Sequence, residues 1–318
     1  MSVRSAGQSD LGKLLVVGGN GFLGHHLLRR PALRPQPPSD AGYHECDITD
    51  STKLAAIFDK IRPDVVIYTA SPIASDNAVQ TELFRRVNVD GTRSVIDACQ
   101  KAHVKALVPI QRRRALPVIR APQQTEYYSE KKAAAEELVM EANRAKPTPS
   151  FPTTFLQVCS TPYRTGKSKV QLDNNNKIYD FAYVGNVAHA HLLAARLWLL
   201  DNTTPTTPPD YDCIDGEVFF VTNDEPVYFW DYARAVWHEV GNDASNEDVW
   251  RIPRDISLFL GMEEAHFTKQ RASFSIMTRY YNICKAKTML GYEPRWTLQQ
   301  GVVRGVKWFL DREEVKAP

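Results

Sequence analysis

The apolar positions of the first third of the chain fall into short solid blocks. "KLLVV" (13–17), "PDVVIYTA" (63–70) and "KALVPI" (105–110) each hold a run of adjacent apolar residues bounded by polar or turn residues. Strands buried on both faces show no alternation, so these blocks predict central parallel strands. Between them the spacing changes to a helical one. "GFLGHHLLRR" (21–30), "STKLAAIFDKI" (51–61), "LFRRVNVDGTRSVIDACQKA" (83–102) and "TEYYSEKKAAAEELVMEANRA" (125–145) read as helices. Asp50 or Ser51 caps the second and Thr125 the last. "YHECDI" (43–48) reads as one more strand. Alternating strands and helices over 145 residues predict a parallel, doubly wound α/β sheet of Rossmann-like type.

The tract "PALRPQPPSDAG" (31–42) interrupts this order. Its four prolines suit neither a helix interior nor a central strand. The second strand is therefore expected to be absent, with "YHECDI" shifted to pair directly beside "KLLVV". The later chain is looser. "DNTTPTTPPDYD" (201–212) is a linker candidate, which divides the chain into a dinucleotide-binding domain (1–200) and a smaller α+β substrate-side region (201–318). In the latter, "EVFFVTN" (217–223) reads as a strand returning to the main sheet. "EPVYFWDYARAVWHEV" and "LQQGVVRGVKWFLDREEV" read as amphipathic helices whose aromatic stripes pack on a core.

Composition narrows the picture further. A chain of 318 residues with 43% hydrophobic content can bury a sizeable core, and a net charge of +2 gives no case for nucleic acid. Five scattered cysteines without a C-x-x-C fit buried structural thiols in a reducing compartment. No apolar leader is visible. The longest apolar stretch, "HLLAARLWLL", is far shorter than the roughly 20 residues that span a bilayer. Attachment to a membrane surface remains open.

Two motifs carry chemistry. "LLVVGGNGFLG" ends the first strand with Gly18, Gly21 and Gly24, and Gly19, Gly21 and Gly24 also satisfy G-x-G-x-x-G. Such glycines let backbone approach a pyrophosphate at a helix N-terminus. The acid that closes a second strand and binds the ribose falls in the proline tract, so NAD and NADP stay unresolved. The second motif is a tyrosine four residues before a lysine. On a helix the two share a face, and the ammonium favours the phenolate that takes a proton from an alcohol. Tyr127/Lys131, Tyr128/Lys132, Tyr163/Lys167 and Tyr281/Lys285 all have this spacing. Only the first two follow the "KALVPI" strand. His189 and His191 lie two apart, so they do not share a helix face, and they read as structural. "DNNNK" (173–177) reads as a turn, and Arg112 to Arg114 as a solvated loop.

Taken together, "VGGNGFLGHH", "CDITD", "RPDVVIYTASP", "VNVDGT", "PVIRAPQQTEYYSEKKAAAEELV", "YDFAYVGNVAHAHLLAA" and "RYYNICKAKTMLGYEP" resemble the 3-beta-hydroxysteroid dehydrogenase group of the extended short-chain dehydrogenases/reductases. The resemblance implies Tyr128 as the acid/base and Lys132 as its partner, which also holds the nicotinamide ribose. It implies a cofactor site of Gly18, Gly21, Phe22, Leu23 and Gly24 around the pyrophosphate, with Asp47 and Ile48 along the adenine. Ala70 and Ser71 would border the cofactor, and Asn88 would brace the active-site helix. The closest branch oxidises the 3-beta-hydroxyl of a 4-alpha-carboxysterol, with decarboxylation, using NAD or NADP. That branch works at the cytosolic face of the endoplasmic reticulum with other sterol-demethylation enzymes, and a homodimer fits it.

The chain departs from this pattern in four places. The second strand is replaced by the proline tract. The strand that ends "ALVYTSS" in the group is here "ALVPIQRRRALPVIR", with no serine or threonine from Gln111 to Gln124. An Arg-Pro element after the active-site helix is missing, and an apolar stretch after "ISLFL" is short. Two readings therefore stand. One is an active, trimmed dehydrogenase. The other is a non-catalytic relative lacking the active-site serine, either a binding subunit or the product of misjoined exons.

Overall fold

The structure is a computed structural model that describes residues 11–29, 42–72, 81–109, 134–135, 138, 170–201, 214, 217–242, 249–253 and 275–314. Its centre is a parallel three-stranded sheet in the order β1 (Leu14–Val17), β2 (Val65–Tyr68), β3 (Ala106–Pro109). Leu14 stands beside Val65, and Val65 beside Ala106. The helices α1 (Phe22–Arg29), α2 (Ser51–Ile61), α3 (Thr81–Arg85) and α4 (Gly91–Lys101) join the strands. Every residue of β2 is buried, as its solid apolar block predicts. One face is sealed by Leu54 and Phe58 of α2 with Val95, Ala98 and Cys99 of α4. Asp50 caps α2 by accepting from the Lys53 N–H at 2.9 Å. Arg62 ends it in the left-handed region, at φ 50°, and donates its N–H to the Phe58 carbonyl.

Two expected strands do not form. Residues 43–48, the "YHECDI" segment, make no ladder, and among the described residues nothing pairs with the free edge of β1. The shift that would place this segment beside β1 does not occur. The physical reason is its lack of a buried face: Tyr43 is 67% exposed, His44 and Glu45 are exposed, and only Ile48 joins the core. β1 is correspondingly half-buried at Leu14, Leu15 and Val16. Residues 217–223 also carry no strand. Phe219 and Val221 are buried there without ladder hydrogen bonds, so apolarity reports burial and not pairing.

The remaining elements are β4 (Val170–Leu172), β5 (Ile178–Tyr179), α5 (Val184–Asp201), β6 (Val227–Tyr228), α6 (Phe229–Glu239), β7 (Trp250–Ile252), α7 (Cys284–Leu290) and α8 (Leu298–Glu314). The chain forms two compact units. The first is Met1–Pro152, Val187–Val221 and Cys284–Glu293, and the second Thr153–Asn186, Thr222–Ile283 and Pro294–Pro318. In the second, β4 pairs in parallel with β7, and β5 pairs antiparallel with β6. The aromatic stripe of α6 is core, as expected: Phe229, Trp230, Tyr232 and Trp237 are buried, and Tyr232 stacks on Phe181 at 3.7 Å. The "DNNNK" segment is a turn in which Asn175 accepts from the Trp230 N–H at 2.9 Å and so caps α6.

A buried amide network fixes the second unit. Asn186 Nδ2 donates to Asn223 Oδ1 at 2.9 Å and to the Trp296 carbonyl at 2.8 Å. Its Oδ1 accepts the N–H groups of Arg295 and Trp296, and Asn223 Oδ1 accepts the Tyr183 N–H. Removing one member leaves buried backbone donors unpaired. We expect Asn186→Ala to lower stability by roughly 2–4 kcal/mol in urea unfolding. Asp180 provides a second check. It is 6% exposed, and burial pushes its carboxyl up to about 6 against the hydrogen bonds from Thr222 and Tyr281 and with the adverse charge of Asp224. The folded state favours the protonated form, so this contribution is present in acid and is lost as pH rises through about 6. Wild type should lose more melting temperature between pH 5 and pH 8 than Asp180→Asn, read by calorimetry.

Candidate nucleotide-binding and active site

The site grows from the carboxyl ends of β1 and β2. Gly18 leaves β1 at φ 88°, a conformation that favours glycine. A Cβ there would lie 2.7 Å from both the Ala70 nitrogen and the Thr69 hydroxyl. At Gly24 a Cβ would collide with the Gly18 carbonyl oxygen and reach the Gly19 Cα at 2.6 Å. The Gly21 N–H closes the turn on the Gly18 carbonyl at 2.9 Å. The turn delivers the chain into α1, whose first turn holds no acidic residue to compete with an anion for its positive pole.

Thr69 ties the turn down. Its N–H donates to the Val17 carbonyl at 2.8 Å, and its hydroxyl reaches the carbonyls of Val17 at 2.9 Å and Gly18 at 3.2 Å. The sequence reading passed over this residue. Its only signal is a hydroxyl placed directly after the apolar block "VVIY". Phe22 and Leu23 are half-buried at the start of α1, and the Phe22 ring meets His26 edge-on at 5.0 Å.

Asp47 is exposed. The Thr49 N–H and hydroxyl, at 2.9 and 2.8 Å, hold its carboxyl below the usual carboxylate range. Ile48 is buried against Gly91, where a Cβ would come within 2.6 Å of its Cδ1. Ala70 and Ser71 follow β2 at the mouth of the glycine turn. Asn88 lies in a π-turn, Arg86–Asp90, between α3 and α4 and is 0% exposed. Its Oδ1 accepts from the Ser71 hydroxyl at 3.2 Å, and its carbonyl accepts from the Thr92 hydroxyl at 2.6 Å. Thr92 in turn meets the Tyr68 hydroxyl at 3.2 Å, whose pKa burial pushes up to about 12. Asn88 Nδ2 has no partner among the described residues.

Gly18, Gly21, Gly24, Ala70, Ser71 and Asn88 thus lie together at one edge of the sheet. Tyr128 and Lys132 lie outside the described residues, as do Arg112 to Arg114. The cradle fits a dinucleotide: glycines stand where any Cβ would clash, the first turn of α1 carries no acid, and a buried amide donor has no partner among the described residues. The fourth Tyr/Lys pair is engaged elsewhere. Lys285 pairs with Glu217, and the Tyr281 hydroxyl accepts from Arg279 at 2.6 Å. His191 is a core histidine: its Nδ1 donates to the Val187 carbonyl at 2.7 Å, and burial lowers its pKa to about 3. Of the free cysteines described, Cys99 is buried, Cys46 half-buried and Cys284 exposed, so the expectation of buried thiols holds only in part. Among the described residues no group of three His, Cys, Asp or Glu could hold a metal, and no helix is long and apolar enough to cross a membrane.

Comparison with known proteins places this geometry. Over 94% of its length the chain is 33% identical to the decarboxylating sterol-4-alpha-carboxylate 3-dehydrogenase of Candida albicans, covering 98% of that protein. The aligned stretch runs to 355 positions against 318 residues here, so the relative carries segments that this chain lacks. The human protein of that name is 26% identical, with 99% of this chain and 92% of that one covered. Among solved structures, the Thermus thermophilus UDP-glucose 4-epimerase in complex with NAD superposes with a TM-score of 0.64. It is 18% identical and covers 94% of this chain and 99% of that one, a likeness of fold. The profile of the 3-beta hydroxysteroid dehydrogenase/isomerase family matches residues 34–111 and 118–254, and the chain belongs to that family.

Proposed function

We propose that the protein is an NAD(P)-dependent dehydrogenase that oxidises the 3-beta-hydroxyl of a 4-alpha-carboxysterol, with loss of the carboxylate as carbon dioxide. The observation that carries this is the intact glycine cradle, closed against Thr69 and Ala70, in a chain whose relatives bear that activity in their names. The same turn aims the start of α1 at an anion, which suits a dinucleotide-binding dehydrogenase. Residues 1–200 would carry the cofactor and 201–318 the substrate side.

In this reading Gly18, Gly21 and Gly24, with the start of α1 at Phe22 and Leu23, hold the pyrophosphate. Asp47 and Ile48 border the adenine, and Ala70 and Ser71 the nicotinamide end. Lys132 binds the nicotinamide ribose and keeps the Tyr128 phenol near its ionised form. Tyr128 takes the hydroxyl proton of the sterol, and Asn88 braces the helix that carries both. The bound nicotinamide supplies the hydride acceptor. Oxidation leaves a ketone beta to the carboxylate, whose carbon–carbon bond breaks as its electron pair moves into that ketone. The same reading places the protein with sterol-demethylation partners at the cytosolic face of the endoplasmic reticulum, as a homodimer.

The cofactor is tested by thermal shift. NAD⁺ or NADP⁺ at millimolar concentration should raise the melting temperature, and the larger shift identifies the preferred one. No shift with either sinks the reading. Gly24→Ala should abolish the shift, because its methyl group occupies the turn. Turnover is tested with a 4-alpha-carboxysterol and the preferred cofactor, following reduced nicotinamide by absorbance and released carbon dioxide. Tyr128→Phe should lower kcat by roughly 10²–10⁴-fold without changing the cofactor shift.

A further inference from the structure

From Gln111 to Gln124 the chain offers no hydroxyl to a substrate oxygen. The same sheet edge holds one elsewhere. β2 and β3 are adjacent and parallel, with Tyr68 level with Pro109, so their carboxyl ends open side by side about 4.8 Å apart. Three residues beyond Tyr68 stands Ser71, exposed, with its Oγ 3.2 Å from Asn88 Oδ1 and 3.3 Å from the Pro72 carbonyl. Behind it Asn88 is fully buried with Nδ2 unpartnered among the described residues. A buried donor left unpaired is costly, and the π-turn that puts Asn88 there is a rare local geometry frequent at functional sites.

We propose that Ser71, oriented by Asn88, is the hydrogen-bond donor to the substrate's 3-oxygen, the part left vacant by the missing serine. The proposal rests on the dehydrogenase reading above. In the arrangement observed, the Ser71 proton is given to Asn88 Oδ1. A half-turn of the Asn88 amide exchanges its two ends. Nδ2 then donates to Ser71 Oγ, and the Ser71 proton turns outward to the ligand. The buried pocket is left with a carbonyl oxygen in place of an amide N–H, the more readily tolerated orphan. The backbone need not move, because Thr92 holds the Asn88 carbonyl at 2.6 Å and is itself held by Tyr68. As Tyr128 withdraws the hydroxyl proton, negative charge grows on the 3-oxygen, and a fixed donor aimed at it is worth roughly 10²-fold in rate.

The test uses the full chain with the reduced form of its preferred cofactor and a 3-ketosteroid, androstanone, isotope-labelled at the carbonyl carbon. Tryptophan fluorescence follows binding, and infrared difference spectra follow the carbonyl stretch. A donor to the oxygen moves that band to lower frequency. We expect the displaced band in wild type and in Ser71→Thr, and its return towards the free position in Ser71→Ala while the steroid still binds. With an alcohol substrate, Ser71→Ala should lose roughly 10²-fold in kcat. Ser71 is exposed, so its truncation leaves the fold intact, and equal melting temperatures check this. A band equally displaced in Ser71→Ala overturns the assignment and leaves the dehydrogenase reading standing. Failure of wild type to bind both reduced cofactor and ketone overturns that reading, and this proposal with it.

Discussion

The close approach of Gly18 to the Thr69–Ala70 backbone is the constraint on which the rest of the site depends. Two parallel strands can end side by side without touching. Here a positive φ at Gly18 folds the β1 exit back against the β2 exit, and the Thr69 hydroxyl spans the carbonyls of Val17 and Gly18. That clamp sets where α1 begins and so where its positive pole points. It also sets where Ala70 and Ser71 leave the sheet. A glycine is required at Gly24 for the same reason, since α1 must start within contact of the Gly18 carbonyl. One tight turn therefore positions the proposed anion site and the edge on which the chemistry is proposed.

Asn88 is the second fixed point, and its energetics explain why it sits in a π-turn. A regular helix through residues 81–101 would spend each carbonyl on the N–H four residues on. In the widened turn at Arg86–Asp90 the Gly91 N–H donates instead to the Arg86 carbonyl five residues back, the Asn88 carbonyl accepts from the Thr92 hydroxyl, and the amide lies against Ser71. The side chain is then fully desolvated with one end satisfied. Natural cores seldom retain such a group without use, because an apolar residue would be cheaper. The arrangement stores an unmet demand for an acceptor at the carboxyl edge of the sheet.

The sequence was legible where a single physical cause governs a pattern. Solid apolar blocks reported two-sided burial, so β1, β2 and β3 and the glycine turn could be read directly. "YHECDI" misled because a short run that reads as a strand says nothing of a neighbour to pair with. Only Ile48 found a buried place, against Gly91. "EVFFVTN" misled in the opposite way, since Phe219 and Val221 are buried without a ladder. Thr69 and the Ser71–Asn88 contact were illegible because they join residues from different strands and helices. Local spacing carries no trace of such meetings.

That no strand among the described residues covers the outer edge of β1 becomes intelligible from the position of β2. A parallel sheet tolerates the loss of an outer neighbour if the strand carrying most burial keeps both of its own. β2 is that strand: it lies between β1 and β3, and Val65, Val66 and Ile67 are fully buried. The loss falls on β1, which is half-buried along Leu14 to Val16 yet still delivers Val17 into the core and Gly18 into the turn. Among the described residues β1 thus presents a bare outer edge, while the glycine turn proposed for the pyrophosphate is intact.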